Sequence, residues 1–177
     1  AAMAGPTPVS ALLHSATLVA AGAYLLVRLS PMLSEVWWFL PVIAIIGAVT
    51  AVVGGVVAIA QTHAKRVLAA STSAQYGLMF IAVGAGSTAA AGAQLVTHAA
   101  FKSLLFLAAG AVIHAVGTRE LKRMGGLGRT MPFVRTTFVI GFLGLAAIPI
   151  ANGFFSKELV LESGLTGGPT WAYVGMV

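Results

Sequence analysis

Apolar residues in this chain run in long blocks rather than alternating, and the blocks have the length of a bilayer crossing. A spanning helix needs ~20 mostly apolar residues, and about five segments qualify: roughly 9–29, 38–60, 67–83, 94–116 and 132–161. The pattern predicts an all-α, polytopic transmembrane bundle, because in hydrocarbon every backbone polar group has to be paired within its own helix. The first block is entered through Gly5-Pro6-Thr7-Pro8, and proline is tolerated in a first turn. The fifth reads as broken: Pro149 removes a backbone donor and Gly153 loosens the chain within IPIANGFFSKE. Beyond it Gly164, Gly167, Gly168 and Pro169 signal a loop, and Trp171 with Tyr173 reads as the opening of a further interfacial helix.

Composition strengthens this picture. Of 177 residues, 59% are hydrophobic and 8% charged, and mean hydropathy is +0.98. A soluble domain carries about a quarter charged residues, so this chain cannot cover a water-facing surface and belongs in a bilayer. The net charge of +6 does not point to nucleic acid, since the basic residues cluster in short loops between apolar blocks. Lys65 and Arg66 occupy one such loop, and Arg119, Lys122, Arg123 and Arg129, with Arg135 just beyond, occupy another. On the opposite side stand only Arg28 and Glu35, and the segment 84–92 has no charge. By the positive-inside bias both basic loops are expected in the cytoplasm, with Trp37 and Trp38 in the aromatic belt of the far face. Zero cysteines exclude disulfides, thiolate metal sites and cysteine-held iron–sulfur clusters within the chain. AAMAGPTPVS has no initiator methionine and no basic region before an apolar core, so it is no signal peptide. The chain is expected to be an internal piece of a longer polypeptide.

A few polar residues inside the blocks are not explained by composition: His14, Gln75, His98, Lys102 and Lys157. A lysine at the centre of a spanning helix costs ~3 kcal/mol on insertion scales, and such residues mark ion or proton pathways. Lys102 lies near the middle of its block in THAAFKSLLFLAAG, too deep to reach the headgroups comfortably. None of the four acids lies well inside the first four blocks, which argues against a structural ion pair. His98 precedes Lys102 by one turn and shares its face. Two protonated groups so close would repel, so the pair is read as sharing one proton, the arrangement of a relay. His14 on its own reads equally as a packing histidine or a relay residue. Lys157 follows the break, where freed backbone groups commonly line a transport site, although an interfacial cluster with Glu158 and Glu162 explains it as well. His63 and His114 read as solvated.

MGGLGRTMP, residues 124–132, has neither a preceding strand nor the GxxxxGK spacing of a phosphate loop. It reads as a tight turn before the fifth block. Gly47, Gly54, Gly55, Gly141 and Gly144 read as close-packing positions between helices.

AMAGPTPVSALLHSATLVAAGAYLLVR, THAAFKSLLFLAAGAVIHA and GFFSKE resemble the proton-antiporter-like membrane subunits of respiratory complex I (NADH–quinone oxidoreductase). KRVLAASTSAQYGLMF and MGGLGRTMPFVRTTF resemble further segments of those subunits, so the likeness covers nearly the whole chain. The histidine in HSAT and the lysine in GFFSK favour the subunit L (ND5) branch over the subunit M branch. The resemblance implies a piece of a larger antiporter-like fold in which His14, His98 and Lys102 lie on a central hydrated axis and Lys157 carries protons at the outlet. It implies proton translocation coupled to electron transfer elsewhere, with no cofactor in this chain. Quinone, NADH, FMN and iron–sulfur clusters are expected in partner subunits. The implied partners are other membrane subunits and the lipid bilayer, with no nucleic acid, and the implied setting is a bacterial cytoplasmic (inner) membrane. QTHAKR and IPIANG depart from that family's Asp-Ile-Lys and proline–proline patterns but leave both proton-site motifs intact. Cation/proton antiporters of the Mrp type and membrane-bound hydrogenases use homologous subunits and are the alternative.

Overall fold

The computed structural model describes residues 5–166 and is helical throughout its main elements. The Gly167, Gly168, Pro169, Trp171 and Tyr173 expectations lie outside the described residues. In chain order the helices are α1 (Thr7–Ala11), α2 (Leu18–Leu33), α3 (Phe39–Ala60), α4 (Ala64–Gly84), α5 (Thr88–Val116), α6 (Pro132–Leu145) and α7 (Asn152–Thr166). Three of them, α3, α4 and α5, are long and apolar enough to cross a membrane unaided, and α2 and α6 are shorter apolar helices.

The first hydrophobic block is not one helix. Between α1 and α2 the chain widens into a π turn, Leu12–Ala16, and Thr17 leaves helical geometry at φ −126° and ψ −86°. No proline or glycine lies there to announce it. The cause is local hydroxyl chemistry: Ser15 Oγ donates to the Ala11 carbonyl and Thr17 Oγ1 to the Leu12 carbonyl at 2.9 Å. Such back-bonding competes with the backbone ladder and bends helices, and single π turns of this kind recur at functional sites.

Helix α5 is the axis of the bundle. Ser87 caps its start by accepting from Ala90 N at 3.2 Å, and Gly117 ends it in the left-handed region at φ 71°. The helix begins earlier than 94 because TAAAGA (88–93) consists of small residues that continue it back to the Ser87 cap. At 1.5 Å per residue it is ~43 Å long, and Lys102 is its midpoint. Apolar clusters form along it: Leu105, Phe106 and Ala109 meet Ala11 and Leu68, whereas Ala90 and Ala91 meet Ala82, Val83 and Val160. Helix α3 packs on α4 through glycine, and a Cβ on Gly47 or Gly54 would lie 2.7 Å from backbone atoms of Gly77 or Ala74. Gly55 has nothing within 4 Å and is not a packing position. Gly141 and Gly144 of α6 lie against Leu105 and Phe101 of α5.

The two basic loops meet. Ala64 N donates to Arg119 O at 3.1 Å and Leu121 N to Thr62 O at 3.0 Å, joining His63 and Glu120 in an isolated antiparallel bridge. Lys65, read as a residue of the basic loop, lies in the first turn of α4, where it is 3% exposed and donates to the Gly5 carbonyl at 3.1 Å. It anchors the entrance to α1.

The fifth block breaks over 146–151. Ala147 N donates to Gly144 O and Ile148 N to Leu143 O, the paired bonds of a Schellman cap, and Ala147 takes the left-handed position at φ 57°. Gly153 does not loosen the chain. It lies inside α7, where its backbone meets the Gly144 backbone so closely that no side chain fits between them.

Candidate functional site

Gln94, His98 and Lys102 are spaced by four residues along α5 and so form one stripe. All three are 0% exposed. The facing wall is α4. Lys102 Nζ donates to the Leu68 carbonyl at 3.1 Å and to Ser71 Oγ. Both acceptors are neutral oxygens, and the one ion pair among the described residues is the surface pair Arg123–Glu120. Lys102 therefore holds its ammonium without a carboxylate, where burying a charge costs several kcal/mol unless it is well partnered.

His98 lies between two rings, edge-on to Tyr76 at 5.2 Å and to Phe101 at 5.4 Å between centroids. Neither of its ring nitrogens, nor the Tyr76 hydroxyl, has a hydrogen-bond partner among the described residues. Buried polar groups are almost always paired, so these atoms single out the centre of the stripe as unusual.

Lys157 lies on α7, one residue after Ser156, and donates to the carbonyl of Leu145, the last residue of α6. The break creates that acceptor: the final carbonyls of a helix lack intrahelical partners and carry partial negative charge. Glu158 and Glu162 are exposed and make no ion pair with Lys157, so the interfacial cluster does not form. His14 lies in the π turn, which packs against α5; its side chain lies outside the described residues.

The sequence reading singled out Gln75 but missed the neutral polar residues joined to it, Gln94, Thr97 and Ser156. Gln94 Nε2 donates to Gln75 Oε1 at 2.9 Å, Ser156 Oγ donates to Gln94 Oε1 at 2.6 Å, and Thr97 Oγ1 donates to Ser156 Oγ at 2.7 Å. These bonds join α4, α5 and α7 at the turn before His98. One signal was available: Gln94 precedes His98 by four residues, so the stripe already contained it. A cavity of about 360 Å³ lies beside the acceptors of both lysines, walled by Leu68, Ser71, Phe138 and Leu145 and bordered by residues 124–127 of the basic loop.

The whole chain, residues 1–177, matches the family described as NADH:quinone oxidoreductase/Mrp antiporter, TM. NADH-ubiquinone oxidoreductase chain 5 of Cryptococcus neoformans is 50% identical over 165 residues, covering 93% of this chain and 25% of that protein. The chain 5 protein of Phytophthora infestans is 49% identical over 162 residues, 91% of this chain and 24% of that protein. The chain thus spans about a quarter of the length of these relatives. Among solved structures, the Mrp complex from Dietzia sp. DQ12-45-1b superposes with a TM-score of 0.90 at 37% identity, over 98% of this chain and 20% of that one. The archaeal membrane-bound sulfane sulfur reductase, a respiratory membrane complex, gives 0.89 at 25% identity over 99% of this chain and 37% of that one.

Proposed function

The chain belongs to the NADH:quinone oxidoreductase/Mrp antiporter transmembrane family, and on that premise we propose that it carries protons across a membrane along the buried Lys102–His98 stripe. The observation that carries the reading is the complete burial of both residues with no acidic partner among the described residues. A fixed structural charge at the middle of a spanning helix ordinarily needs such a partner. A charge that comes and goes does not, because the group is neutral for part of each cycle.

In this reading Lys102 is the central carrier, its ammonium steadied by the Leu68 carbonyl and Ser71 Oγ. His98 lies one turn away with two unengaged ring nitrogens, and an imidazole with one free nitrogen accepts a proton while the other releases one. Lys157 works at the break, where its ammonium rests on a helix-end carbonyl, and His14 joins the path from the π turn. The apolar cavity beside both lysines' acceptors supports access from the basic-loop face.

The larger protein is then a proton-translocating membrane subunit of an NADH–quinone oxidoreductase. As a part of that enzyme it does not perform the redox steps; NADH, FMN, iron–sulfur clusters and quinone are held by partner subunits. Lysine and arginine concentrate in the two joined loops, the bias of a protein inserted from the cytoplasm, and we take the bilayer to be a bacterial cytoplasmic membrane. The close superposition on a solved Mrp complex supports a second reading, a subunit of a cation/proton antiporter, and membrane-bound hydrogenases are a further setting. Neighbouring genes for NADH- and quinone-binding subunits distinguish the first reading from a cluster of small antiporter subunits.

The deciding experiment is proton uptake into vesicles driven by the assembled complex, comparing wild type, Lys102→Arg and Lys102→Ala. Arginine stays protonated, with a pKa above ~12. A relay therefore predicts that Lys102→Arg fails almost as badly as Lys102→Ala in complexes checked for assembly. Near-normal pumping by an assembled arginine variant would refute the role of Lys102.

A further inference from the structure

We propose that Gln94, with Gln75, Thr97 and Ser156, forms a clasp that docks α7 onto α4 and α5 and thereby positions Lys157 at the end of α6. The inference rests on the transport reading only for what Lys157 does, not for how it is held.

The non-helical run 146–151 separates α6 from α7, so no continuous ladder carries the register of α6 into α7. Something else has to fix the rotation and height of α7. On one side it touches α6 through the Gly153–Gly144 backbone contact, which sets closeness but offers no directional bond. On the other side Ser156 Oγ is bound across to α5, donating to Gln94 Oε1 at 2.6 Å and accepting from Thr97 Oγ1 at 2.7 Å. Gln94 passes the restraint on by donating from Nε2 to Gln75 Oε1 of α4 at 2.9 Å. Gln94 and Ser156 are 0% and 1% exposed.

The residue types suit the task. Only a head group that accepts on one atom and donates from the next satisfies both the Ser156 hydroxyl and the Gln75 carbonyl, and the glutamine amide does this without titrating. The Thr97 and Ser156 hydroxyls also lie near carbonyls of their own helices, Ala93 and Gln94 at 3.1 and 3.2 Å and Gly153 at 3.3 Å, but for both the cross-helix partner is the nearest. Removing Ser156 takes the donor from Gln94 Oε1, and removing Gln94 takes the donor from Gln75 Oε1; leaving a buried amide oxygen unpaired costs more than the ordinary worth of a hydrogen bond. Ser156 and Lys157 are consecutive, ~100° apart around the helix. With Ser156 turned to α5, Lys157 is turned toward the end of α6, where it meets the Leu145 carbonyl. Gln94, Gln75, Thr97 and Ser156 are thus positioning residues: none need carry a proton.

The test uses the full-length subunit in its assembled complex, with Gln94→Leu, Ser156→Ala, the double variant, and Gln94→His, whose ring keeps one donor and one acceptor. The first readout is independent of transport. Cysteines replacing Ala90 and Val160, members of one buried cluster on α5 and α7, report docking by their disulfide yield, and the segment has no cysteine of its own. The second is protons pumped per electron turnover. Gln94→Leu and Ser156→Ala are each expected to lower cross-linking and pumping ~5-fold or more. The double variant is expected to be no worse than the worse single, as for residues acting as one unit, and Gln94→His is expected to restore most of both. Unchanged cross-linking in Gln94→Leu and Ser156→Ala, or losses that multiply in the double variant, would overturn the clasp. Should Gln94→Leu not assemble, the smaller Ser156→Ala carries the same two outcomes. Normal pumping in Lys157→Ala would sink the transport role of that lysine while leaving the cross-linking result to judge the clasp.

Discussion

Replacing Gly153 with alanine puts a methyl group where α6 and α7 touch backbone to backbone. Its carbon would lie 2.8 Å from the Gly144 carbonyl carbon and closer still to the carbonyl oxygen. Carbon atoms rest at ~3.5–4.0 Å, so the two helices must part by about 1 Å, and neither neighbour is a side chain that can swing away. Overpacking of this kind costs about 1–3 kcal/mol. The same displacement reaches Lys157, which follows Gly153 by four residues and so lies on the same face of α7. A normal N–H···O contact of ~2.7–3.2 Å stretched by ~1 Å is no longer a hydrogen bond, and the Leu145 carbonyl loses its ammonium. A hydrogen bond to a charged group is worth about 1.5–3 kcal/mol, equivalent to ~10- to 150-fold in the population of the docked arrangement. Gly153→Ala is therefore expected to reduce proton uptake by vesicles at least ~10-fold per assembled complex, and to lower the thermal midpoint of the solubilised complex. Gly55→Ala, with nothing within 4 Å of the added carbon, is the matched control and should be neutral or slightly stabilising through helix propensity. Wild-type pumping and melting by an assembled Gly153→Ala complex would refute the claim that this contact sets Lys157.

Two further outcomes follow from the backbone and the loops. Ala147→Gly should raise stability by about 0.5–1 kcal/mol, because the left-handed conformation costs an L residue ~1–2 kcal/mol and glycine gives back part of that in chain entropy; the melting temperature of the solubilised complex measures it, and a decrease would show that Ala147 is not strained. Cysteines at Lys122 and at Gly86 should label from opposite sides of intact cells, with position 86 reached from outside; labelling at 122 but not at 86 would invert the orientation.

How far the sequence could be read depended on whether a feature was local. The block 38–60 announces itself because nothing in it interrupts the apolar run, and the fifth block's break is signalled by Pro149. The π turn at Leu12–Ala16 has no such marker, since serine and threonine bend a helix only when their hydroxyls turn back on the ladder. Gly153 carried the wrong meaning: read alone it loosens a chain, but here it admits a neighbouring backbone. Lys65 looked like a loop charge until folding brought the Gly5 carbonyl to it. The pairing of Gln94 with Ser156 was hidden for the same reason, the two being 62 positions apart in the chain yet joined by one bond. A lone amide or hydroxyl in an apolar helix is unremarkable until its partner is known.

The bridge between the two basic loops has a mechanical consequence. Helices α4 and α5 are joined at one end by the short turn 85–87 and at the other by the backbone bonds Ala64–Arg119 and Leu121–Thr62. The pair is thus a closed frame, unable to splay or slide at either end without breaking main-chain bonds. Lys102, His98 and the oxygens of Leu68 and Ser71 are mounted on its inner faces, so their spacing survives any tilting of the frame as a whole. Helix α7 has no second main-chain tie of that kind: beyond the six-residue link 146–151 it is held by side-chain bonds, Ser156 to Gln94 and Lys157 to the Leu145 carbonyl.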